Sequence, residues 1–233
     1  MKTIGLIGGL SWESTAIYYK FMNEYVKKEL GGLHSAKIVL HSFDFQEIVN
    51  LQKLGHWDTA TEKMIEAAQA LERAGADSIV ICTNTMHLMA DAVQEAVSVP
   101  LIHIVDAVSA SIKKANISKI GLLGTAFTME KSFYKDRLAK HGIECIVPCE
   151  VGRETAHTII FSELCRGEIR EDSKQRYQQL INELAANGAE GVILGCTEIP
   201  LLIKQEDSTL PVFDSTTLHA EAAIKAALEE LPV

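Results

Sequence analysis

Short aliphatic runs alternate with longer amphipathic segments along most of the chain. In the first half these runs predict strands at residues 3–7, 37–43, 78–81 and 100–105. Residues 11–30 and 58–74 have apolar side chains near helical spacing, and Ser11 is a plausible N-cap. The second half repeats the alternation and ends in a helix predicted over residues 216–231. Such alternation is typical of parallel sheets with right-handed crossovers.

Two stretches of the chain resemble each other: GADSIVICTNTMH at residues 75–87 and GAEGVILGCTEIP at residues 188–200. Both open with glycine, alanine and an acidic residue, continue with aliphatic residues and end in small polar ones. Their separation of 113 residues places Thr83 opposite Cys196. We therefore interpret the chain as two copies of one unit.

A rival alignment at a separation of 114 residues matches Cys82 with Cys196. It loses the opening match, and a one-residue slip turns every side chain of a strand to the opposite face. A second echo supports the duplication, because IGLIGG at residues 4–9 reappears as IGLLGT at residues 120–125, at a separation of 116. In this echo Thr125 takes the place of Gly9.

The predicted fold is α/β, with two pseudo-symmetric, doubly wound parallel-sheet domains of the flavodoxin-like type facing one cleft. We predict a first domain of residues 1–98 plus 210–233, completed by the C-terminal helix, and a second domain of residues 99–209. In open α/β sheets, ligands bind beyond the carboxyl ends of the strands. Glycine or small polar residues follow four predicted strands there, at residues 8–11, 83–85, 124–125 and 196–198.

Composition narrows the class of partner. The formal net charge of −9 argues against nucleic acid or an anionic membrane, although local N–H donors can still bind a small anion. The start of the chain has no signal-peptide pattern, and its apolar run is too short to span a membrane. With five cysteines, an odd number, this predicts a cytoplasmic protein with reduced thiols. Cys145 and Cys149 lack a second Cys or His pair nearby, so no metal site is predicted.

Cys196 follows a strand and precedes a helix, where the helix dipole and N–H groups favour a thiolate. Thr197 and Glu198 come next, and Glu198 could orient the sulfur or exchange a proton with it. The alternative from position alone is that Cys196 is a small buried hydrophobic residue. Cys82, one residue before Thr83, is interpreted as such a core residue.

Four separated segments carry a family resemblance: residues 8–15 (GGLSWEST), 82–87 (CTNTMH), 195–199 (GCTEI) and 213–219, from Phe213-Asp214 to His219. Together they resemble the aspartate/glutamate racemase family along the whole chain, and its threonine/cysteine subgroup in particular. The resemblance implies an amino-acid racemase that works without pyridoxal phosphate or another cofactor. It also implies a small amino-acid substrate and, usually, a homodimer.

The resemblance further implies one proton-handling residue on each face of the substrate α-carbon. These are the residue directly before Asn84-Thr85, here Thr83, and the cysteine of Gly-Cys-Thr, here Cys196. Many relatives have a cysteine in place of Thr83, and a threonine hydroxyl is a very poor base at neutral pH. We therefore predict lopsided two-base catalysis, in which Cys196 removes the α-proton of one enantiomer and Thr83, alone or with water, reprotonates from the opposite face. Similarity to a threonine-bearing subgroup implies that the favoured enantiomer is L.

The predicted substrate-binding residues extend this pair. By resemblance, the α-carboxylate is held by donors at Asn84, Thr85 and Thr197, and Glu198 is included as a neighbour of the sulfur. Ser11 and Thr125 are added as donors by their position after predicted strands. His87 either supports the site through a hydrogen bond or simply starts the next helix.

The sequence offers two candidate positions for binding the substrate side chain. Aspartate-specific relatives use basic residues after the second strand and before the glycine that corresponds to Gly167. This chain offers Gln52 or Lys53 in the first place, and Cys165 with Arg166 in the second. A neutral Gln52 relaxes the selection for a second carboxylate. The predicted substrate is therefore aspartate, glutamate or a related small polar L-amino acid, with homoserine-like side chains included.

Two groups of alternatives stay open at this point. Hydantoin racemases, maleate isomerases and arylmalonate decarboxylases also place cysteine after these strands, although Asn84-Thr85 and Glu198 favour the amino-acid branch. From a different class, a non-catalytic flavodoxin-like binding protein could use Cys196 as a redox switch. No flavin phosphate loop stands out in the sequence to support that reading.

Overall fold

The computed structural model describes residues 1–229. Contacts divide the chain into two compact units, one of Met1–Ile104 with the segment that starts at His219, the other of Val105–Leu218. The predicted boundaries lie six residues earlier at the first crossing and nine residues earlier at the second. The difference arises because the last strand belongs to the second unit. Residues 230–233, including the predicted helix end at Leu231, lie outside the described residues.

The elements alternate as the hydrophobic pattern predicts. The first unit contains β1 (Ile4–Gly8), α1 (Trp12–Leu30), β2 (Ile38–Ser42), α2 (Phe45–Leu54), α3 (Trp57–Arg73), β3 (Ser78–Ile81), a 3₁₀ helix (Thr85–Met89) and α4 (Ala90–Glu95). There follow α5 (Ile104–Lys114), β4 (Lys119–Gly124), α6 (Ala126–Glu130), α7 (Ser132–Lys140), β5 (Glu144–Ile146), α8 (Glu150–Ser162), a 3₁₀ helix (Leu164–Arg166), α9 (Glu171–Ala186), β6 (Gly191–Gly195), α10 (Ile199–Leu202), a 3₁₀ helix (Gln205–Asp207), β7 (Val212–Asp214) and α11 (Ser215–Leu228). Both crossings between the units fall inside helices, α5 and α11.

Each unit is built on a parallel sheet, with strand order β2-β1-β3 in the first and β5-β4-β6-β7 in the second. The predicted α/β class with two parallel-sheet domains is therefore confirmed. The strand predicted at residues 100–105 is reduced to a single bridge between Ile79 and Leu101, because α5 already begins at Ile104. That bridge occupies the place that β7 takes in the second sheet.

The two sheets share one pairing register. In the first sheet Ile4 pairs with Ser78, and in the second Ile120 pairs with Gly191. These pairs are related by the separations of 116 and 113 residues found in the sequence. A separation of 114 in the second stretch would shift the pairing by one residue and reverse the strand faces. The register therefore supports the alignment of Thr83 with Cys196.

Helices cover both faces of the first sheet, which makes it doubly wound. Leu6 and Val80 pack on one face with the buried sides of α1 and α11. Ile7 and Ile79 pack on the other face with α3 and α4. The alternation of neighbouring strand residues between the two clusters follows from the two-residue period of a β-strand.

Helix α2 lies in a stretch whose polar composition did not predict a helix. Its ends carry clear signals, because the Asp44 side chain accepts a hydrogen bond from the Gln46 backbone N–H and Gly55 ends the helix in the left-handed conformation. Ile48 and Gln52, one turn apart, form its buried face. One of these two residues is a glutamine, and a polar residue on the buried face hides the amphipathic pattern.

Within residues 1–229, no helix combines the length and apolar character that crossing a bilayer requires.

Candidate active site

In the first unit, the chain leaves β1 through a tight turn that leads into α1. The Ser11 hydroxyl oxygen accepts a hydrogen bond from the Ser14 backbone N–H at 3.4 Å and caps the helix, as predicted. Gly9 has φ +72°, and a Cβ there would lie 2.2 Å from the Phe43 carbonyl oxygen. The glycine is therefore required by the close approach of the loop that follows β2.

The turn after β3 holds the first predicted catalytic residue, Thr83, whose side chain is partly buried. Its backbone N–H donates to the Ile81 carbonyl at 2.8 Å. The preceding carbonyl, that of Cys82, accepts from the Ser14 hydroxyl at 2.7 Å. Asn84 and Thr85 follow in the same turn and are both buried. Cys82 itself is fully buried, and burial raises the pKa of its thiol.

His87 closes this turn with its side chain. The Nδ1 atom lies 2.7 Å from the Thr83 carbonyl oxygen, and Nε2 accepts from the Ile104 backbone N–H at 3.2 Å. Of the two roles left open for His87, the structure therefore shows a hydrogen bond that supports the Thr83 turn.

The two side chains offered at the α2 position have different surroundings. Gln52 is buried, and its amide Nε2 lies 3.2 Å from the Met86 sulfur, within the 3₁₀ helix that follows Thr83. Lys53 is exposed in the last turn of α2. Of the two, only Gln52 contacts the segment after β3.

In the second unit, the turn after β4 repeats the helix start seen at Ser11. The Thr125 hydroxyl oxygen accepts from the Thr128 backbone N–H at 3.3 Å and caps α6. By this role Thr125 corresponds to Ser11 rather than to Gly9, so the first turn is two residues longer. Beside it, the Ala126 N–H donates to His157 Nδ1 at 3.2 Å. Burial lowers the pKa of His157, against an opposing effect of Glu130.

The turn after β6 places the second predicted catalytic residue, Cys196, against a buried carboxylate. The Cys196 thiol donates to Glu198 Oε2 at 3.0 Å, and the Thr197 hydroxyl donates to the same oxygen at 2.6 Å. Thr197 and Glu198 are both buried. This arrangement gives the sulfur a proton acceptor within reach.

The expectation that the helix start favours a thiolate is wrong for this structure. Burial, followed by the charge of Glu198 and the hydrogen bond to it, raises the pKa of the Cys196 thiol well above its usual value. The following helix, α10, spans only Ile199–Leu202 and supplies little dipole. Burial and Glu198 thus disfavour the thiolate of Cys196, and the same carboxylate lies within reach to take its proton.

Cys165 and Arg166 lie in the 3₁₀ helix after α8, and they also differ. Cys165 is partly buried and close enough to Cys196 for its charge to raise the pKa of that thiol. Arg166 is exposed. Tyr177 is fully buried and donates to the Ala156 carbonyl at 3.2 Å. Burial, followed by the charges of Cys196 and Cys165, raises the pKa of Tyr177.

The structure thus gathers the predicted residues into one group in each unit. The first unit holds Ser11, Gln52, Thr83, Asn84, Thr85 and His87, and the second holds Thr125, Cys165, Cys196, Thr197 and Glu198. Lys53 and Arg166 are exposed beside these groups. The sequence pattern did not point to His157 or Tyr177, although the four-residue spacing of His157 and Phe161 marks one face of α8. Within residues 1–229, no cluster of three His, Cys, Asp or Glu side chains is arranged to hold a metal.

Comparison with known proteins identifies the family. The family model described as Asp/Glu/hydantoin racemase matches residues 7–223. A crystal structure from Yersinia pestis, described as a candidate Asp/Glu racemase, is 53% identical, covers 98% of this chain and 100% of its own, and has a TM-score of 0.93. An aspartate racemase homologue from Pyrococcus horikoshii is 40% identical over 97% of this chain and 99% of its own, with a TM-score of 0.86.

A relative named for its activity is also found. The broad-specificity amino-acid racemase RacX of Bacillus subtilis is 23% identical over 97% of this chain and 98% of its own length. The duplicated sheets, the polar turns that follow them and the match over nearly the whole length lead to one assignment. This chain belongs to the Asp/Glu/hydantoin racemase family, a family whose activity class is that of the isomerases.

Proposed function

We propose that the chain is a cofactor-independent amino-acid racemase, in which Cys196 and Thr83 exchange protons on opposite faces of a substrate α-carbon. One observation carries the proposal. Ile81 and Leu194 pair with Ile7 and Leu123 in the same register, and Thr83 and Cys196 each come two residues after these paired positions. A duplicated fold thus supplies one hydroxyl and one thiol at equivalent strand ends.

The proton path starts at the thiol. Glu198 takes the proton of Cys196 through the 3.0 Å hydrogen bond, and the thiolate that forms removes the α-proton of the L substrate. The carbanion then accepts a proton from the Thr83 hydroxyl, which is replaced from water. Because a threonine hydroxyl is a very poor base, removal of the α-proton from the D substrate is slow. This step limits inversion in both directions, since the two enantiomers have equal free energy.

Without a pyridoxal ring, the site itself stabilises the carbanion. Asn84, Thr85 and Thr197 hold the α-carboxylate in this proposal, and Ser11 and Thr125 assist from the neighbouring turns. The hydroxyl oxygens of Ser11 and Thr125 also cap the helices that begin at these turns.

The substrate we propose is a small polar L-amino acid, which includes aspartate, glutamate and neutral side chains such as that of homoserine. At the two candidate positions, Gln52 is buried and Cys165 is partly buried, and neither carries a positive charge, whereas Lys53 and Arg166 are exposed. A neutral amide can accept a hydrogen bond from a hydroxyl and can donate one to a carboxylate. The broad amino-acid specificity for which RacX is named supports this range of substrates.

The test is a panel of L-amino acids in D₂O without pyridoxal phosphate, with chiral chromatography and mass measurement of α-deuterium. We expect Cys196→Ala to abolish both deuterium uptake and D product, while Cys149→Ala, which changes an exposed cysteine, leaves both unchanged. We also expect Thr83→Cys to raise the rate with D substrates by about tenfold or more, because a thiolate replaces a poor base.

Other outcomes are equally readable. Deuterium uptake that survives in Cys196→Ala contradicts the proposal, and so does a Thr83→Cys variant with no gain on the D substrate. Decarboxylation of malonate-type acids without α-exchange of amino acids points to a different reaction in the same family. A response to oxidants with no turnover of any amino acid points to a redox protein.

A further inference from the structure

We propose that His87 is a positioning residue for Thr83, which it holds through a neutral imidazole with its proton on Nδ1. The proposal rests on the proposed function, because it concerns the proton transfer assigned to Thr83. His87 acts on Thr83 and need not touch the substrate itself.

The backbone of Thr83 is held on both sides. Its N–H donates to the Ile81 carbonyl, a bond made within the turn itself. Its carbonyl lies 2.7 Å from His87 Nδ1, so this second hold comes from a side chain four residues later. The backbone N–H of His87 donates to the Asn84 carbonyl at 3.1 Å, which brings the imidazole back over the turn.

The partners of the ring define its tautomer. A backbone N–H can only donate, so Nε2, at 3.2 Å from the Ile104 nitrogen, must present a lone pair. A carbonyl can only accept, so Nδ1 must carry the proton that reaches Thr83. One neutral form of the ring satisfies both of these bonds.

The far side of the ring is anchored in a buried cluster. The His87 ring centroid lies 4.6 Å from that of His103 and 5.3 Å from that of His219. His219 Nε2 lies 2.6 Å from the Ile102 carbonyl oxygen, and its Nδ1 lies 2.8 Å from the Tyr18 hydroxyl. The Thr83 carbonyl is therefore tied, through His87, to residues well outside its own turn.

The second unit has no such device at the equivalent place. The separation of 113 residues puts Pro200 opposite His87. There the Cys196 carbonyl accepts from the Ile199 backbone N–H at 3.2 Å instead. The imidazole thus serves the Thr83 side alone, and its loss should affect reprotonation on that face and spare deprotonation by Cys196.

Two variants separate the two nitrogens of His87. An asparagine amide reaches the place of Nδ1 and can still donate to Thr83, whereas a glutamine amide reaches the place of Nε2 and serves Ile104 only. The L substrate is incubated in D₂O, and the D product is measured against deuterium in the remaining L substrate. Return of a deuteron by Cys196 labels the L substrate, and delivery from the Thr83 side gives D product.

We expect His87→Gln to lower the ratio of D product to labelled L substrate about tenfold, because a small displacement of a proton donor is costly. We expect His87→Asn to keep the ratio within about twofold of the wild type. Tyr18→Phe is the matched control, since it removes a hydroxyl from the same cluster but leaves the link to Thr83, and it should keep the wild-type ratio.

An equal loss of exchange and inversion in both His87 variants overturns the proposal, because that is the result of a purely structural role. Should His87→Gln fail to fold, ¹⁵N chemical shifts of the wild-type ring decide, and a proton found on Nε2 overturns the inference. Failure of the proposed function is separate, since it shows as α-exchange that persists in Cys196→Ala. Loss of exchange in Cys196→Ala with an unchanged ratio in His87→Gln contradicts the positioning role alone.

Discussion

At the scale of single residues, one oxygen atom links Cys196 to its neighbours. Oε2 of Glu198 accepts hydrogen bonds from the thiol and from the Thr197 hydroxyl. Burial raises the pKa of the thiol, and the negative charge of Glu198 beside it acts in the same direction. The carboxylate therefore disfavours ionisation of the thiol and is also a base within reach of its proton.

This double role makes a prediction for Glu198→Gln. Burial and the charge of Glu198 both raise the pKa of Cys196, and removing the charge should move the rising, low-pH limb of the kcat/KM profile for L-substrate exchange to lower pH, because the thiolate is the base. Removing the base should also lower the maximal exchange rate about 100-fold. The profile is measured by α-deuterium uptake across a pH series.

Glu154→Gln, an exposed substitution on α8, serves as the control and should leave the limb in place. A limb that stays at the wild-type pH in Glu198→Gln would show that the carboxylate does not control the thiol.

The equivalence of positions Thr83 and Cys196 follows from the sequence repeat, but the direction of the Cys196 pKa shift does not. The sequence shows a cysteine before a helix, and that position alone favours a thiolate. The direction depends on how short α10 is and on the Glu198 side chain folding back onto the sulfur. Neither feature is visible as a residue pattern.

At the scale of secondary-structure elements, Glu72 at the end of α3 secures the segment that follows α4. Its Oε1 accepts hydrogen bonds from the backbone N–H groups of Ser98 at 2.8 Å and Val99 at 3.2 Å. Hydrogen bonds from the side chain and backbone of Ser98 lower the pKa of Glu72. The carboxylate thereby holds the chain that leads to the Leu101 bridge.

The sign of the pH dependence follows from this lowered pKa. The stabilisation is fully present above the unfolded glutamate pKa of about 4.3 and is lost as the pH falls through the folded value. We therefore expect Glu72→Gln to lower the urea midpoint at neutral pH and to match the wild type in acid. Glu66→Gln, on an exposed position of the same helix, should leave the midpoint unchanged at both pH values. An equal deficit of Glu72→Gln at both pH values would rule out the charge as its cause.

Most strands and long helices are predictable from hydrophobic spacing, and the strand at Ser78–Ile81 agrees to the residue. The segment after Thr83 is less regular than predicted, because a helix expected from His87 starts as a 3₁₀ turn at Thr85 and continues as α4. The imidazole contacts that shape this turn come from Ile104 and His219, which are distant in sequence. Local pattern carries no information about such contacts.

At the scale of the whole chain, the duplication imposes the same packing limit twice. Gly5 and Gly121 are equivalent at a separation of 116 residues. A methyl group at Gly5 would lie 2.8 Å from Ala76 Cβ, and one at Gly121 would lie 2.8 Å from Leu184 Cδ1. In both strands a neighbouring side-chain atom lies too close for a Cβ to be added without a shift.

The two neighbours differ in how easily they move, which gives a paired prediction. Gly5→Ala should lower the free energy of unfolding by about 1–3 kcal/mol, because Ala76 Cβ is fixed to the backbone. Gly121→Ala should cost less, because the end of the Leu184 side chain can rotate away. Urea denaturation of both variants measures the difference. A larger loss for Gly121→Ala than for Gly5→Ala would contradict this account of the packing.

The shared register of the two sheets also has an evolutionary consequence. The chain from β4 to β6 is three residues shorter than the chain from β1 to β3, yet the strand ends still correspond. Insertions and deletions have therefore accumulated in the connections without moving the tips of the central strands. Selection can replace the chemical group at one tip, a hydroxyl for a thiol, while the framework that presents it stays as it was inherited.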